Sequence, residues 1–438
     1  MQYLSNILFA IALIVGISFF VMNIRKIFRN INLGKDIDRV DNKLERLKNM
    51  MRIALGQSKM VKRPVSGFLH IIVYVGFIII NIEVLEIIID GLLGTHRVFQ
   101  GFLSDGFYGF LIGTFEILAA LVFVAVILFW TRRNIANIKR FLSSEMKGWP
   151  KMDGNIILYF EMVLMTLFLV MNATDISFQQ VGIGNPVSQF ITPLFDGFSV
   201  EGVHVIERTS WWIHILGILV FLNYLFYSKH LHILLAFPNT FFANLNPKGQ
   251  FTNLESVTNE VKLMMDPEAD PYAMPEEGTE ETVPEKFGAS DVADLSWVQL
   301  LNAYTCTECG RCTSACPANL TGKELSPRKI MMDTRDRLEE VGRNIDANKG
   351  TFVDDGKQLL NDYISPEELW ACTSCNACVE ECPVNIDPLS IIMDMRRYLV
   401  MEESAAPQEL NMMMTNIENN GAPWQYNQQD RLNWANEE

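Results

Sequence analysis

Residues 306–319 read CTECGRCTSACPAN and residues 372–385 read CTSCNACVEECPVN. Each is a Cys-x2-Cys-x2-Cys-x3-Cys-Pro run, the spacing with which bacterial ferredoxins hold [4Fe–4S] clusters. Three thiolates two residues apart wrap one face of a cubane. The fourth, followed by proline, is carried past that face and ligates the partner cluster. The spacing therefore predicts one cluster on Cys306, Cys309, Cys312 and Cys382, and another on Cys372, Cys375, Cys378 and Cys316. Zinc also takes Cys-x2-Cys pairs, but two complete copies with the trailing Cys-Pro suit paired iron–sulfur clusters. All 8 cysteines are then used, which leaves no thiol as a nucleophile or redox sensor.

The motif starts lie 66 residues apart, too far for a compact β-rich ferredoxin. Between them SPRKIMMDTRDRLEEV opens on Ser326 and Pro327, a cap followed by a proline at the first helical position. SPEELW, from Ser365, repeats that start, and IDPLSIIMDMRRYLVMEES beyond the second motif is helical again. The pattern predicts an α-helical two-cluster domain. Met331, Met332, Met393 and Met395 are expected to fill its core and carry no redox role.

Upstream the chain changes character. Apolar runs near 4–23, 66–90, 106–130, 155–173 and 211–236 are each long enough to cross the roughly 30 Å core of a bilayer as a helix. The fourth contains Glu161. MQYLSN, ahead of the first, lacks the positive region of a signal peptide, so that run is expected to be a retained helix. The stretch 24–64 holds 12 Lys or Arg and 131–152 holds 6, whereas 91–105 and 174–210 hold one Arg each. The positive-inside rule then places both basic loops and everything after about residue 237 in the cytoplasm, with the N-terminus outside. A multi-pass protein of a bacterial inner membrane is the expectation, with its cysteines in a reducing compartment that disfavours disulfides. The formal charge of −15 argues against a nucleic-acid partner.

The window 251–300 has 12 acidic residues against 2 Lys, with Pro267, Pro271, Pro275 and Pro284 spaced along it, and reads as an extended acidic linker. The expected architecture is all-α. A five-span membrane domain (1–245) leads through the linker (246–294) to a two-cluster domain (295–400) and a partner-docking tail (401–438).

Histidines inside membrane segments are costly unless paired or ligating. His70 lies just inside the start of the second span, and His214 near the start of the fifth. His230 and His232 lie at its other end, while His96 and His204 fall at the outer surface. On one continuous helix His214 and His232, 18 residues apart, share a face about 27 Å apart in depth, and His230 points to the opposite side. His70 and His232 are thus expected to clamp one haem b as axial imidazoles. His214 and His230 are candidates for a second haem or a quinone site. Glu83, Glu86, Glu116 and Glu161 are placed either to pass protons to a quinone or to hydrogen-bond between helices. No G-x-x-x-x-G-K-[ST], H-E-x-x-H or G-x-S-x-G occurs, and Gly182 and Gly184 in VGIGNP follow no strand.

With His70, His214 and His232 so placed, residues 1–245 resemble the cytochrome b gamma subunit of respiratory nitrate reductases and the membrane subunit of methanogen heterodisulfide reductase. That family has a His pair on the second span and a pair 18 apart on the fifth. This chain has Met60 and Ile80 ten residues either side of His70. Residues 295–438 resemble the iron–sulfur subunit of heterodisulfide reductase. The likeness rests on both cluster motifs and on GAPWQYNQQDRLNWA (421–435), similar to the tail preceding the CCG domains of fused relatives. CCG repeats do not occur in these 438 residues. The resemblance implies an electron-transfer subunit that works with menaquinone and a separate CCG-domain or flavoprotein partner, and that catalyses the quinone half-reaction at most. A redox-sensing or assembly protein using its clusters structurally is the alternative.

Overall fold

The computed structural model describes residues 3–267 and 286–436, and among these it is built of helices with no strand. Five helices are long and apolar enough to cross a membrane: α1 (Leu4–Ile31), α2 (Pro64–Leu93), α3 (Asp105–Asn134), α4 (Trp149–Thr174) and α5 (Val200–Tyr224). They pack in chain order, α2 on α3, α3 on α4 and α4 on α5, with α1 closing the bundle against α5 and α2. Their outward residues, such as Phe68, Phe110 and Val220, are exposed and apolar, as a lipid-facing surface requires. Pro64 starts α2, where a missing N–H costs nothing, and Gly94 ends it at φ +74, its N–H on the Asp90 carbonyl at 2.8 Å.

The fifth span departs from expectation. It is not one helix through residue 236. It stops near Tyr227, Ser228 is extended (φ −119, ψ 146), and a new helix α6 (His232–Phe241) follows a short turn. The cause is tertiary. Asp153, buried on α4, accepts from the Tyr224 hydroxyl (2.6 Å) and from the Lys229 backbone N–H (3.2 Å), and Ser228 Oγ accepts from His230 N (3.1 Å). Those donors need no continuing helix. The face-sharing of His214 and His232, and the opposed placement of His230, therefore do not hold.

The second domain is formed by α7 (Trp297–Thr305), α8 (Arg311–Ala315), α9 (Pro327–Ala347), α10 (Ala377–Glu381) and α11 (Pro388–Met401). Ser326 caps α9 by accepting from Lys329 N, and Ser365 closes a capping box with Glu368. Met331, Met332 and Met395 are buried, and Met393 is half-buried beside Ser374. A helix Gln408–Asn420 and an irregular tail follow, exposing Met412, Trp424, Leu432 and Trp434.

The expected linker is also shorter than 246–294. Residues Glu255–Met265 form a helix, and 286–294 belong to the second domain, with Ala289 and Val292 buried and Lys286 on Asp294 at 2.6 Å. Pro271, Pro275 and Pro284 lie outside the described residues. Nor is the second domain a tethered bead. Ile27 and Ile31 of α1 and Leu231 and Leu235 around α6 share one core with Leu300, Tyr304 and Ile330. Lys35 N donates to Leu295 O (2.7 Å) and Trp297 N to Lys35 O (3.1 Å). Gly34 is required there, because a Cβ would stand 2.7 Å from Leu295 O.

Candidate iron–sulfur and haem site

The two cysteine loops have matching backbones. In each, the middle cysteine is flanked by two left-handed residues: Glu308 (φ +52) and Gly310 (φ +69) around Cys309, Ser374 (φ +56) and Asn376 (φ +58) around Cys375. That winding turns amide donors onto sulfur, as in Ser374 N to Cys372 Sγ (3.4 Å); Ile386 N reaches Cys382 Sγ (3.3 Å). Helices α8 and α10, which leave the two loops, pack on each other and bring the fourth cysteines across. Cys312 lies within electrostatic reach of Cys306, Cys309, Cys382 and Cys378. Cys378 reaches Cys372 and Cys316, and Cys372 reaches Cys316 and Cys375.

No disulfide links the eight thiols. The thiols fall into two sets that meet through Cys312 and Cys378. Burial pushes the Cys306 thiol up to about 12 and Cys382 to about 11, which suits inert ligands awaiting a metal charge and not free nucleophiles. Cys306, Cys316, Cys378 and Cys382 are buried, and Cys375 is exposed. The donor set fits two [4Fe–4S] clusters.

The first loop faces the membrane helices. Arg311 donates to the carbonyls of Lys59 (3.1 Å) and Met60 (3.3 Å), just before α2. Arg311 and Arg140 lie in the field of Cys309. Glu308 is buried and pairs with Lys229 and, at 2.9 Å, with Arg335. Burial opposes its charge, yet these two cations outweigh it and hold the Glu308 carboxyl below the usual range. Arg328, fully buried, donates to Arg140 O (2.7 Å) and to Glu145 (2.7 Å). Sequence reasoning missed these contacts. The repeat held one clue: Glu308 occupies the place that Ser374 fills in the second loop, so cluster binding alone does not call for an acid there.

His70 lies within electrostatic reach of His232 and Arg311, and its Nδ1 is buried without a hydrogen-bond partner. His232 Nδ1 is 3.1 Å from the Lys229 carbonyl, which fixes the ring and leaves Nε2 for a metal. Burial holds His232 below its ordinary pKa, in the neutral form that ligates. His230 is not turned away: its ring is 5.4 Å from that of His232, with Phe221 at 5.4 Å and Glu161 3.9 Å from Nε2. The oriented His232 ring and the buried His70 ring, which has an unsatisfied nitrogen, are compatible with haem ligands on α6 and α2. His214 is elsewhere, buried with Nδ1 3.0 Å from Leu164 O and its ring 6.2 Å from Phe168. His96 and His204 are exposed, beside Asp175 and Glu207. Of the membrane carboxylates, Glu116 bonds between segments, accepting from Asn172 (3.1 Å), Val187 N (2.9 Å) and Ser188 N (3.0 Å).

Comparison with known proteins bears on the iron–sulfur part of the chain. Residues 305–386 match the 4Fe-4S dicluster domain family. The chain is 30% identical to a probable iron-sulfur-binding oxidoreductase, FadF, of Bacillus subtilis, over 99% of this chain and 61% of that protein. It is 25% identical to an EtfAB:quinone oxidoreductase of Syntrophomonas wolfei, over 92% of this chain and 55% of that one. One subunit of a CoB-CoM heterodisulfide reductase of Methanosarcina acetivorans is 32% identical over 25% of this chain and 53% of its own length. The chain thus spans about three fifths of the length of the two relatives it matches nearly throughout. No solved structure matches it significantly. The chain combines five membrane-length helices with a 4Fe–4S dicluster domain and is similar to iron–sulfur oxidoreductases and to a subunit of heterodisulfide reductases.

Proposed function

We propose that the chain is the membrane-bound electron-transfer subunit of a quinone-linked oxidoreductase. Haem b is assigned to His70 and His232, one cluster to Cys306, Cys309, Cys312 and Cys382, and the other to Cys372, Cys375, Cys378 and Cys316. These groups supply one-electron carriers, and the protein sets their order and surroundings.

The carrying observation is that order. His70 and His232 adjoin the first thiol set through Arg311 and through Lys229, whose side chain holds Glu308 while its carbonyl faces His232. The first set adjoins the second through Cys312 and Cys378, and the second reaches the surface at Cys375. Such a series joins the bilayer to a soluble partner. Menaquinone is the proposed membrane substrate, and a CCG-domain protein or a flavoprotein the proposed partner. The name of the S. wolfei relative supports a quinone and a separate electron protein. Exposed Trp424 and Trp434 favour partner docking by the tail. The basic loops pack on the cluster domain, in keeping with a cytoplasmic cluster domain, an outer N-terminus and a bacterial inner membrane. His214, apart from the other histidines, is assigned to a quinone or second haem, and His230 to a propionate or quinone oxygen.

Absorbance spectra of three single variants test the ligands. His70→Ala and His232→Ala are expected to lose the same b-type absorbance, and His230→Ala to keep it. Loss in His230→Ala with retention in His232→Ala overturns the assignment, and retention in all three overturns the haem reading.

A further inference from the structure

At the end of the bundle remote from the cluster domain lies a cavity of about 240 Å³, lined by Glu83, Glu86, Asp90, Asp175, Glu207 and Trp211 among others. Five carboxylates there face two arginines, Arg97 and Arg208, with His96 at the rim. Four carboxylates are accounted for. Glu86 accepts from Phe99 N (2.8 Å) and the Tyr108 hydroxyl (3.0 Å). Asp90 accepts from Thr95 Oγ1 (2.5 Å) and Arg97 N (2.7 Å). Asp175 pairs with Arg97 (2.8 Å) and His96 (3.1 Å), and Glu207 pairs with Arg208. Glu83 is the exception. It is only 3% exposed, it lines the cavity, and its Oε2 has no hydrogen-bond partner.

A buried charge beside an unpartnered oxygen is costly in a membrane, and a bound proton removes that charge. Glu83, Glu86 and Asp90 recur at i, i+3 and i+7, so they share one face of α2 and climb about 10 Å toward the cavity mouth. The charged groups around Glu83 are Glu86 and Asp90 on its own helix, Arg97 on the next loop and Glu116 on α3. Asp175, just past the end of α4, and Glu207 and Arg208 on α5 also line it.

We propose that this cavity is a proton-exchange chamber. Glu83 is its innermost carrier, trading one proton with the aqueous phase at the far membrane face by way of Glu86 and Asp90. Its use rests on the quinone reading: a quinone that takes a pair of electrons from the clusters takes up a pair of protons, and the reverse reaction releases them.

The test uses the assembled complex in native membranes with dicyclohexylcarbodiimide, an apolar reagent that adds across a protonated buried carboxyl to give an O-acylisourea and then a stable N-acylurea. Mass spectrometry is expected to find the adduct on Glu83, less of it as pH rises, and none at that position in E83Q. In E83Q, reoxidation of dithionite-reduced clusters by menaquinone should slow on the order of 100-fold, with E83D restoring most of the rate and ferricyanide reoxidation unchanged in both. Absence of the adduct on Glu83 overturns the proposal, as does an E83Q complex that reoxidises with menaquinone at the wild-type rate. If wild-type clusters do not respond to menaquinone at all, the quinone reading fails, and the label alone decides on the chamber.

Discussion

Replacing Glu308 by Gln removes one charge from the network that ties the first cluster loop to the break in the fifth span. Glu308 is 3% exposed, and Lys229 and Arg335 both pair with it. Deleting one partner of a buried pair costs about 3–5 kcal/mol. The low end applies here, because Lys229 keeps Pro150 O at 2.7 Å and Asp153 at 3.7 Å, and Arg335 keeps Asp336 at 3.2 Å. About 3 kcal/mol corresponds to an opening equilibrium roughly 100-fold larger. Amide hydrogen exchange across 306–312 in the holo complex should report it. The double variant E308Q/K229M leaves neither charge stranded against the other and should recover about 2 kcal/mol of the loss. The pH dependence has a fixed sign. Because Glu308 is held below its ordinary value, its contribution is present above the usual carboxylate pKa of about 4.3 and is lost as pH falls through the lower folded value. Strictly additive single variants, or unchanged exchange in E308Q, would refute the coupling of this loop to the membrane helices.

Cys316→Ser should damage the cluster held by Cys372, Cys375 and Cys378, read by electron paramagnetic resonance of the reduced protein; loss of the Cys306-centred signal alone contradicts the crossed assignment. Gly34→Ala places a Cβ 2.7 Å from both Leu295 O and Trp297 N, and two backbones yield poorly. Domain docking should weaken by about 1–3 kcal/mol, seen as faster limited proteolysis between the two domains, and an unchanged cleavage rate would show that the pairing of Lys35 with Leu295 and Trp297 is dispensable.

The cluster loops and the five spans were legible because their signals are local. A thiol spacing and a run of apolar residues mean the same thing wherever they occur, and the serine caps at Ser326 and Ser365 behave likewise. The break at Ser228 was not legible, since neither glycine nor proline marks it; its cause, the Asp153 carboxylate, comes from another helix. The docking of the two domains was hidden for the same reason. An acidic, proline-bearing window does read as solvated linker, but its last residues, 286–294, fold onto the cluster domain through capping contacts that the charge count conceals. The membrane carboxylates divide only in three dimensions: Glu116 is saturated by backbone donors from a loop more than seventy residues away, whereas Glu83, similar in sequence context, has an oxygen with none.

The claim that membrane histidines and cluster loops form one electron path is tested most directly by redox equilibration in the native complex. With haem and clusters reduced by dithionite and the excess removed, anaerobic menaquinone should reoxidise both the b-type absorbance and the cluster signals. The His70→Ala complex should fail to do so with menaquinone while still reoxidising with ferricyanide. Clusters that stay reduced in wild type in the presence of menaquinone, yet respond to ferricyanide, would contradict the account.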